Sequence, residues 1–263
     1  MISKHLPNIK GLIIDMDGVL WNDTQPIGDL PAIFRKISDL GYRFILATNN
    51  ATKSVDEYHQ KLQNFGVNLE DWQVINSAMA AGIFLKQKYP QGARIYVVGQ
   101  AGLKKTLSEF GFQVVSEDET HVDIVVASMD FNITYEKLKH ATLKIREGAY
   151  FIGTNLDPTY PTPEGFIPGS GTIVRALETA TESKAKVIGK PEPDLYLIAM
   201  QRLQLTSEET LAIGDRLDTD IAGAQAAGIR TALVLSGAST REEALNFQPN
   251  PDIIAKDLTD LIF

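Results

Sequence analysis

The 263-residue chain has no cysteine. That excludes disulfides and thiolate metal sites, and it favours a reducing compartment. No window approaches the roughly 18 consecutive apolar residues of a membrane span. Residues 1–10 also lack the apolar stretch of a signal peptide, so the expectation is a soluble, cytoplasmic protein with no membrane partner. Basic residues are in the minority, 25 against 33 acidic ones, and form no run. With a formal charge of −8, the chain lacks the basic surface that phosphate backbones require, which excludes a general nucleic-acid-binding role. A GxxxxGK[ST] loop is absent too, so this is not a Walker-type NTPase. Gly99-Gln100-Ala101-Gly102 lacks the third glycine and the ribose-binding acid of a dinucleotide turn; its glycines read as turn residues.

What is present is an ordinary globular composition, 44% apolar and 22% charged, sufficient for one large α/β domain or two smaller ones. Leu12-Ile13-Ile14 is a short apolar run without polar alternation, the pattern of a strand buried on both faces of a parallel sheet. It ends in Asp15-Met16-Asp17-Gly18. Asp15 therefore stands at the carboxyl end of a strand, the edge where open α/β sheets bind ligands. Two carboxylates converging there need a cation or a proton between them. An Asp-Gly turn that merely caps backbone N–H groups gives the same local sequence. A calcium loop is excluded, because its later oxygen ligands would fall on Val19 and Pro26.

The chain then repeats one plan. Leu30 to Leu40 carries a helical apolar stripe closed by Gly41, and Arg43 to Ala47 is a second buried strand ending in Thr48-Asn49-Asn50. A hydroxyl and amides between strand and helix suit an anion, or an ordinary N-cap. From Arg94 to Ile152 strands and helices alternate again, forming an α/β module of their own. Residues 153–171, with four prolines and four glycines, read as a long, stiff irregular loop of the kind that carries function. A strand over 185–188 leads to Gly189-Lys190-Pro191. The buried strand Leu211-Ala212-Ile213 leads to Gly214-Asp215-Arg216-Leu217-Asp218-Thr219-Asp220, followed by a small-residue helix over 221–227.

Four separate segments thus place polar groups at strand ends: Asp15 and Asp17, Thr48-Asn49-Asn50, Lys190, and Asp215 with Asp220. Acids and a lysine on one sheet edge suit Mg²⁺, held by one or two carboxylates plus a substrate phosphate. One aspartate can attack phosphorus in line while its neighbour protonates the leaving oxygen.

DMDGVLW, TNN, GKP and GDRLDTD resemble, in order, the four motifs of haloacid-dehalogenase (HAD) superfamily phosphatases, and the resemblance covers nearly the whole chain. The segment TNLDPTYP…PGSG resembles the subgroup of NagD-like proteins, p-nitrophenylphosphatases and pyridoxal phosphatases. The resemblance implies a Rossmann-like, doubly wound parallel-sheet core over 1–80 and 182–263, with an inserted C2-type α/β cap over 81–181. The interval from Thr48 to Lys190 leaves room for that insert; the one from Asp17 to Thr48 does not. It further implies Asp15 as nucleophile and metal ligand, and Asp17 as acid–base residue lending its backbone carbonyl to Mg²⁺. Thr48 would bind the phosphoryl group with Asn49 and Asn50 beside it. Lys190 would stabilise the pentacovalent state, Asp215 would ligate Mg²⁺, and Asp220 would act behind it or through a metal-bound water. Asp218 reads as surface or capping. Asn155, Asp157 and Tyr160 would face substrate from the cap. Tyr160 falls where pyridoxal phosphatases carry a histidine, which weakens pyridoxal phosphate as the substrate. The activity implied is Mg²⁺-dependent hydrolysis of a small phosphorylated metabolite: a sugar phosphate, glycerol phosphate, nucleoside monophosphate or aryl phosphate. Transfer to another alcohol, as in a phosphotransferase or mutase, and a non-catalytic phosphate-binding regulator on the same scaffold are the alternatives. Cap-mediated homodimers occur in the family and are the partner state the resemblance would allow.

Overall fold

Gly11–Ile14 is buried at all four positions. In the computed structural model, which describes residues 2–162 and 164–263, it lies in the middle of a six-stranded sheet. Across that sheet the order is Ile253–Ala255, Arg230–Val234, Thr210–Gly214, Gly11–Ile14, Arg43–Thr48, Val74–Asn76. Gly11–Ile14 pairs in parallel with both neighbours, Ile14 opposite Ile213 on one side and Leu46 on the other. Numbered along the chain, the strands run 3-2-1-4-5-6 across the sheet, and the order reverses between Gly11–Ile14 and Thr210–Gly214. A crevice outside the carboxyl ends of the strands at such a reversal is where doubly wound sheets take their ligands.

The connecting helices form for local reasons. Leu30–Asp39 starts at Asp29, whose carboxylate accepts from the Ala32 N–H at 3.0 Å, and it buries Leu30, Ile33, Phe34 and Ile37. The stripe 221–227 is not one plain helix. Leu217–Ile221 is a wider turn with π-type pairing that runs into the short α-helix Ala222–Ala226. Such turns re-aim the residues they carry, and here Asp220 is one of them.

Contacts divide the chain into two units. The first comprises residues up to Thr48, Val55–Ile75 and Lys190–Phe263; the second comprises Asn49–Ser54 and Asn76–Gly189. The second unit has a five-stranded parallel sheet of its own, in the order Lys186–Val187, Tyr150–Gly153, Ile124–Ala127, Arg94–Val98, Gln113–Val115. It extends beyond the 81–181 anticipated for the insert. It includes all of the helix Ser77–Lys88, which packs on Ala101–Glu109 so closely that a Cβ on Gly82 would lie 2.4 Å from the Phe110 ring.

The long loop expected from the sequence is in part a structured ribbon. Residues 153–171 contain the antiparallel pair Thr159–Thr162 and Gly165–Pro168, with Tyr160 opposite Ile167; Pro163 of that segment lies outside the described residues. The turn region after Gly18 holds a smaller ribbon, Trp21–Asn22 against Gln25–Pro26. Short helices at Ile2–His5 and Arg241–Asn246 were not anticipated.

Candidate active site

The strand-order reversal in the first unit is occupied by charge. Asp15 follows Ile14, and its N–H donates to the Ile213 carbonyl at 2.8 Å, which places it beside the strand that ends in Gly214-Asp215. Lys190, only 2% exposed, donates to Asp15 Oδ1 at 2.5 Å and to Asp220 Oδ1 at 2.7 Å. Asp220 Oδ2 in turn accepts from the N–H groups of Asp215, at 3.2 Å, and Arg216, at 3.1 Å. A carboxylate oxygen from each of Asp15, Asp215 and Asp220 lies within 4.8 Å of the others.

Burial and mutual repulsion set the electrostatics. Burial pushes the Asp15 carboxyl well above its ordinary range; the Lys190 ammonium opposes this, and Asp220 and Asp215 add to it. For Lys190, burial works against the charge, but the Asp15 and Asp220 carboxylates outweigh it and hold the ammonium well above its usual pKa. Burial first, then the Asp220 carboxylate, pushes Asp215 up to about 7. Three carboxylates and one ammonium leave two negative charges in a dry place when all are ionised, which suits one hard divalent cation.

A family profile for haloacid dehalogenase-like hydrolases matches residues 12–113, and a second HAD-hydrolase-like profile matches 187–261. An acid sugar phosphatase of Staphylococcus aureus is 36% identical over 253 residues, covering 96% of each chain. A p-nitrophenyl phosphatase from Archaeoglobus fulgidus superposes with a TM-score of 0.90 at 30% identity, over 97% of this chain and 98% of its own. A glycerol phosphate phosphatase from Mycobacterium tuberculosis, solved in complex with magnesium, superposes with a TM-score of 0.88 at 36% identity, over 98% of this chain and 77% of its own. The chain belongs to the haloacid dehalogenase-like hydrolases. Within them it is a phosphatase of the NagD-like group.

In this HAD phosphatase, the residues singled out from the sequence separate into two sets. Asp15, Lys190, Asp215 and Asp220 converge as described. Asp17 does not join them through its side chain: Oδ1 accepts from Trp21 Nε1 at 2.7 Å. The buried indole thus engages one oxygen of Asp17 and leaves the other, Oδ2, outside that hydrogen bond. Thr48 is buried at the end of the strand Arg43–Thr48. Asp218 is exposed and paired with Arg216 at 3.2 Å, the surface role expected of it.

The second set lies within the second unit. Asn49 Nδ2 donates to the two Asp157 carboxylate oxygens at 3.1 and 3.3 Å, and the Asn49 carbonyl accepts from Asn155 Nδ2 at 2.8 Å. Asn155 Oδ1 takes the Asp157 N–H at 3.1 Å. Asn50 behaves as a turn residue, its Oδ1 accepting from Thr52 N and Oγ1 at 3.0 and 2.6 Å. Tyr160 meets Phe131 edge-on at 6.3 Å.

Four residues around the acidic centre escaped sequence reasoning. The Ala238 N–H donates to Asp215 Oδ2 at 2.7 Å, and Gly237 lies so close that a Cβ there would sit 2.0 Å from the same oxygen. The Ser236 hydroxyl donates to the Gly18 carbonyl at 2.7 Å, tying this loop to the turn after Asp17. Tyr196 donates to the Asp220 carbonyl at 2.9 Å. The available signal was positional: Ser236 to Ser239 follow the strand beside that of Asp215 and leave the same edge.

A pH dependence follows for the metal-free protein. Asp215 is raised from an ordinary 3.8 to about 7, so the folded state holds its proton more tightly than the unfolded state does. Stability from this group is present below the ordinary value and is lost as pH rises through about 7. The metal-free thermal midpoint should fall between about pH 5 and pH 8, and added Mg²⁺ should raise it more at the upper end. Calorimetry with and without chelator checks both; a midpoint that is flat or rises with pH would contradict the raised Asp215.

Proposed function

We propose that this phosphatase hydrolyses small phosphorylated metabolites through a phosphoryl-enzyme intermediate on Asp15, with Mg²⁺ as cofactor. The observation that carries the reading is the Asp15–Lys190–Asp220 chain of ion pairs beside Asp215 at the reversal of strand order. An Asp15 oxygen attacks phosphorus, the ester P–O bond breaks, and Asp17 protonates the departing oxygen. Asp17 then takes a proton from water as the water oxygen attacks phosphorus, and the bond from phosphorus to Asp15 breaks to release inorganic phosphate. Lys190 offsets charge on Asp15 and the phosphoryl oxygens throughout, while Asp220 holds the ammonium in place and, through the Asp215 and Arg216 N–H groups, fixes the loop that carries Asp215. Asp15 and Asp215, with the Asp17 backbone carbonyl, are the groups we assign to Mg²⁺; when bound it would supply neutralisation of phosphoryl charge. Thr48 is assigned to the phosphoryl group.

For the substrate we favour sugar phosphates and glycerol phosphates. The acid sugar phosphatase and the glycerol phosphate phosphatase, each similar over nearly the whole of this chain, support that choice. Discrimination among leaving groups we assign to Asn155, Asp157 and Tyr160.

The test is phosphate release from a panel of sugar, polyol, nucleoside and aryl phosphates, with Mg²⁺ and with chelator. Turnover of sugar or glycerol phosphates that disappears with chelation is expected. Turnover indifferent to chelation would overturn the cofactor assignment, and a panel on which only nucleoside phosphates turn over would overturn the substrate class.

A further inference from the structure

Trp21 is fully buried, four residues beyond Asp17, and is hydrogen-bonded both to Asp17 and to the next residue, Gly18. Its indole Nε1 donates to Asp17 Oδ1 at 2.7 Å, and its carbonyl accepts from the Gly18 N–H at 2.8 Å. The indole has one donor in a fixed direction, and its surroundings fix the ring. Phe65 packs at 5.9 Å between ring centroids, and Lys61 Nζ lies 4.0 Å from the centroid on the ring face. That ammonium also donates to the Asp23 carbonyl at 2.8 Å, tying the helix Val55–Asn64 to the ribbon Trp21–Asn22 and Gln25–Pro26. A cation on the face of an indole draws density from the ring and makes its N–H a stronger donor.

We propose that Trp21 is a positioning residue for Asp17, its N–H fixing the rotation of the carboxyl group so that Oδ2 is the oxygen that carries the proton. This rests on the reading of Asp17 as the leaving-group acid. An oxygen already accepting a short hydrogen bond is the poorer site for the proton, and Oδ2 has no hydrogen-bond partner among the described residues. Without the indole donor, the carboxyl group rotates freely and the proton is presented in the productive direction for a smaller fraction of the time. A buried indole that merely satisfies its own N–H would affect folding and leave the dependence on leaving group untouched.

The leaving group supplies the readout. Nitrophenolate departs with little protonation, whereas an alkoxide needs the acid. Two variants separate chemistry from packing: Trp21→Phe, and an isosteric replacement of Trp21 by an amino acid with sulfur in place of the ring N–H. Each is assayed with glycerol phosphate and p-nitrophenyl phosphate beside Asp17→Asn, with thermal unfolding followed in parallel. The ratio of kcat/KM for the alkyl ester to that for the aryl ester should fall about tenfold or more in both Trp21 variants, the size expected for losing one hydrogen bond to a carboxyl group that becomes charged as it gives up its proton. It should fall further in Asp17→Asn. A ratio within about twofold of the parent in the isosteric variant, with Asp17→Asn still selective, would overturn the positioning role and leave the acid role standing. An Asp17→Asn variant that slows both esters equally would overturn the acid role and this proposal with it.

Discussion

Asp15→Asn lowers phosphate release from p-nitrophenyl phosphate by about four orders of magnitude or more, while the protein stays folded. The size follows from removing the nucleophile, a loss the remaining groups of a catalytic unit do not compensate. The aryl ester is the decisive substrate because its leaving group makes little demand on Asp17, so the loss reports attack on phosphorus. Folding survives for an electrostatic reason. Burial and two neighbouring carboxylates already hold the Asp15 carboxyl well above its ordinary pKa, so a neutral amide of the same shape relieves the site. Lys190 keeps Asp220 as a partner at 2.7 Å. Steady-state kinetics and calorimetry on the same preparation check both halves. Turnover within about a hundredfold of the parent would place the nucleophile elsewhere.

Lys190→Met is expected to damage both activity and stability. At 2% exposure, the ammonium is the partner of two carboxylates that have few other counter-charges. Removing one member of a buried ionic cluster costs about 3 kcal/mol or more, because the charges left behind are neither solvated nor paired. Activity should fall about a thousandfold, the scale of losing a preorganised stabiliser of transition-state charge. The stability loss should be smaller at low pH. Raised carboxyl groups take up protons there, and a neutral Asp15 no longer needs the ammonium. A variant equally destabilised at about pH 5 and about pH 8 would contradict this account of the cluster.

The acidic centre was legible in the sequence because each contributor stands at the end of a short apolar strand. Asp15 after Leu12-Ile13-Ile14 and Asp215 after Leu211-Ala212-Ile213-Gly214 can be placed on one edge of a sheet before any coordinate is known. The parallel order then brings them together, Ile14 opposite Ile213. What stayed hidden depends on partners that strand patterning does not supply. Asp17 was expected beside Asp15, and nothing in the strand pattern showed that a buried indole four residues on would donate to one of its oxygens. Asn49 read as a neighbour of phosphate, and its amide is hydrogen-bonded to Asp157, which lies far along the chain. The wide turn Leu217–Ile221 and the brace from Ala238 share that origin: both fit themselves to the Asp215 loop, which sequence periodicity does not describe. The ribbon Thr159–Thr162 with Gly165–Pro168 was read as irregular because its prolines mask the strand pattern, although an edge pair of this kind tolerates them.

The central claim is that phosphorus becomes bonded to Asp15. Acyl phosphates are reduced by borohydride to the alcohol, so enzyme quenched during turnover and reduced at once should yield homoserine at position 15 in the peptide that spans residues 11–35. The same peptide from Asp15→Asn, or from enzyme quenched without substrate, should yield none. Homoserine at another aspartate, or at no position while turnover is rapid and Mg²⁺ is saturating, would contradict it.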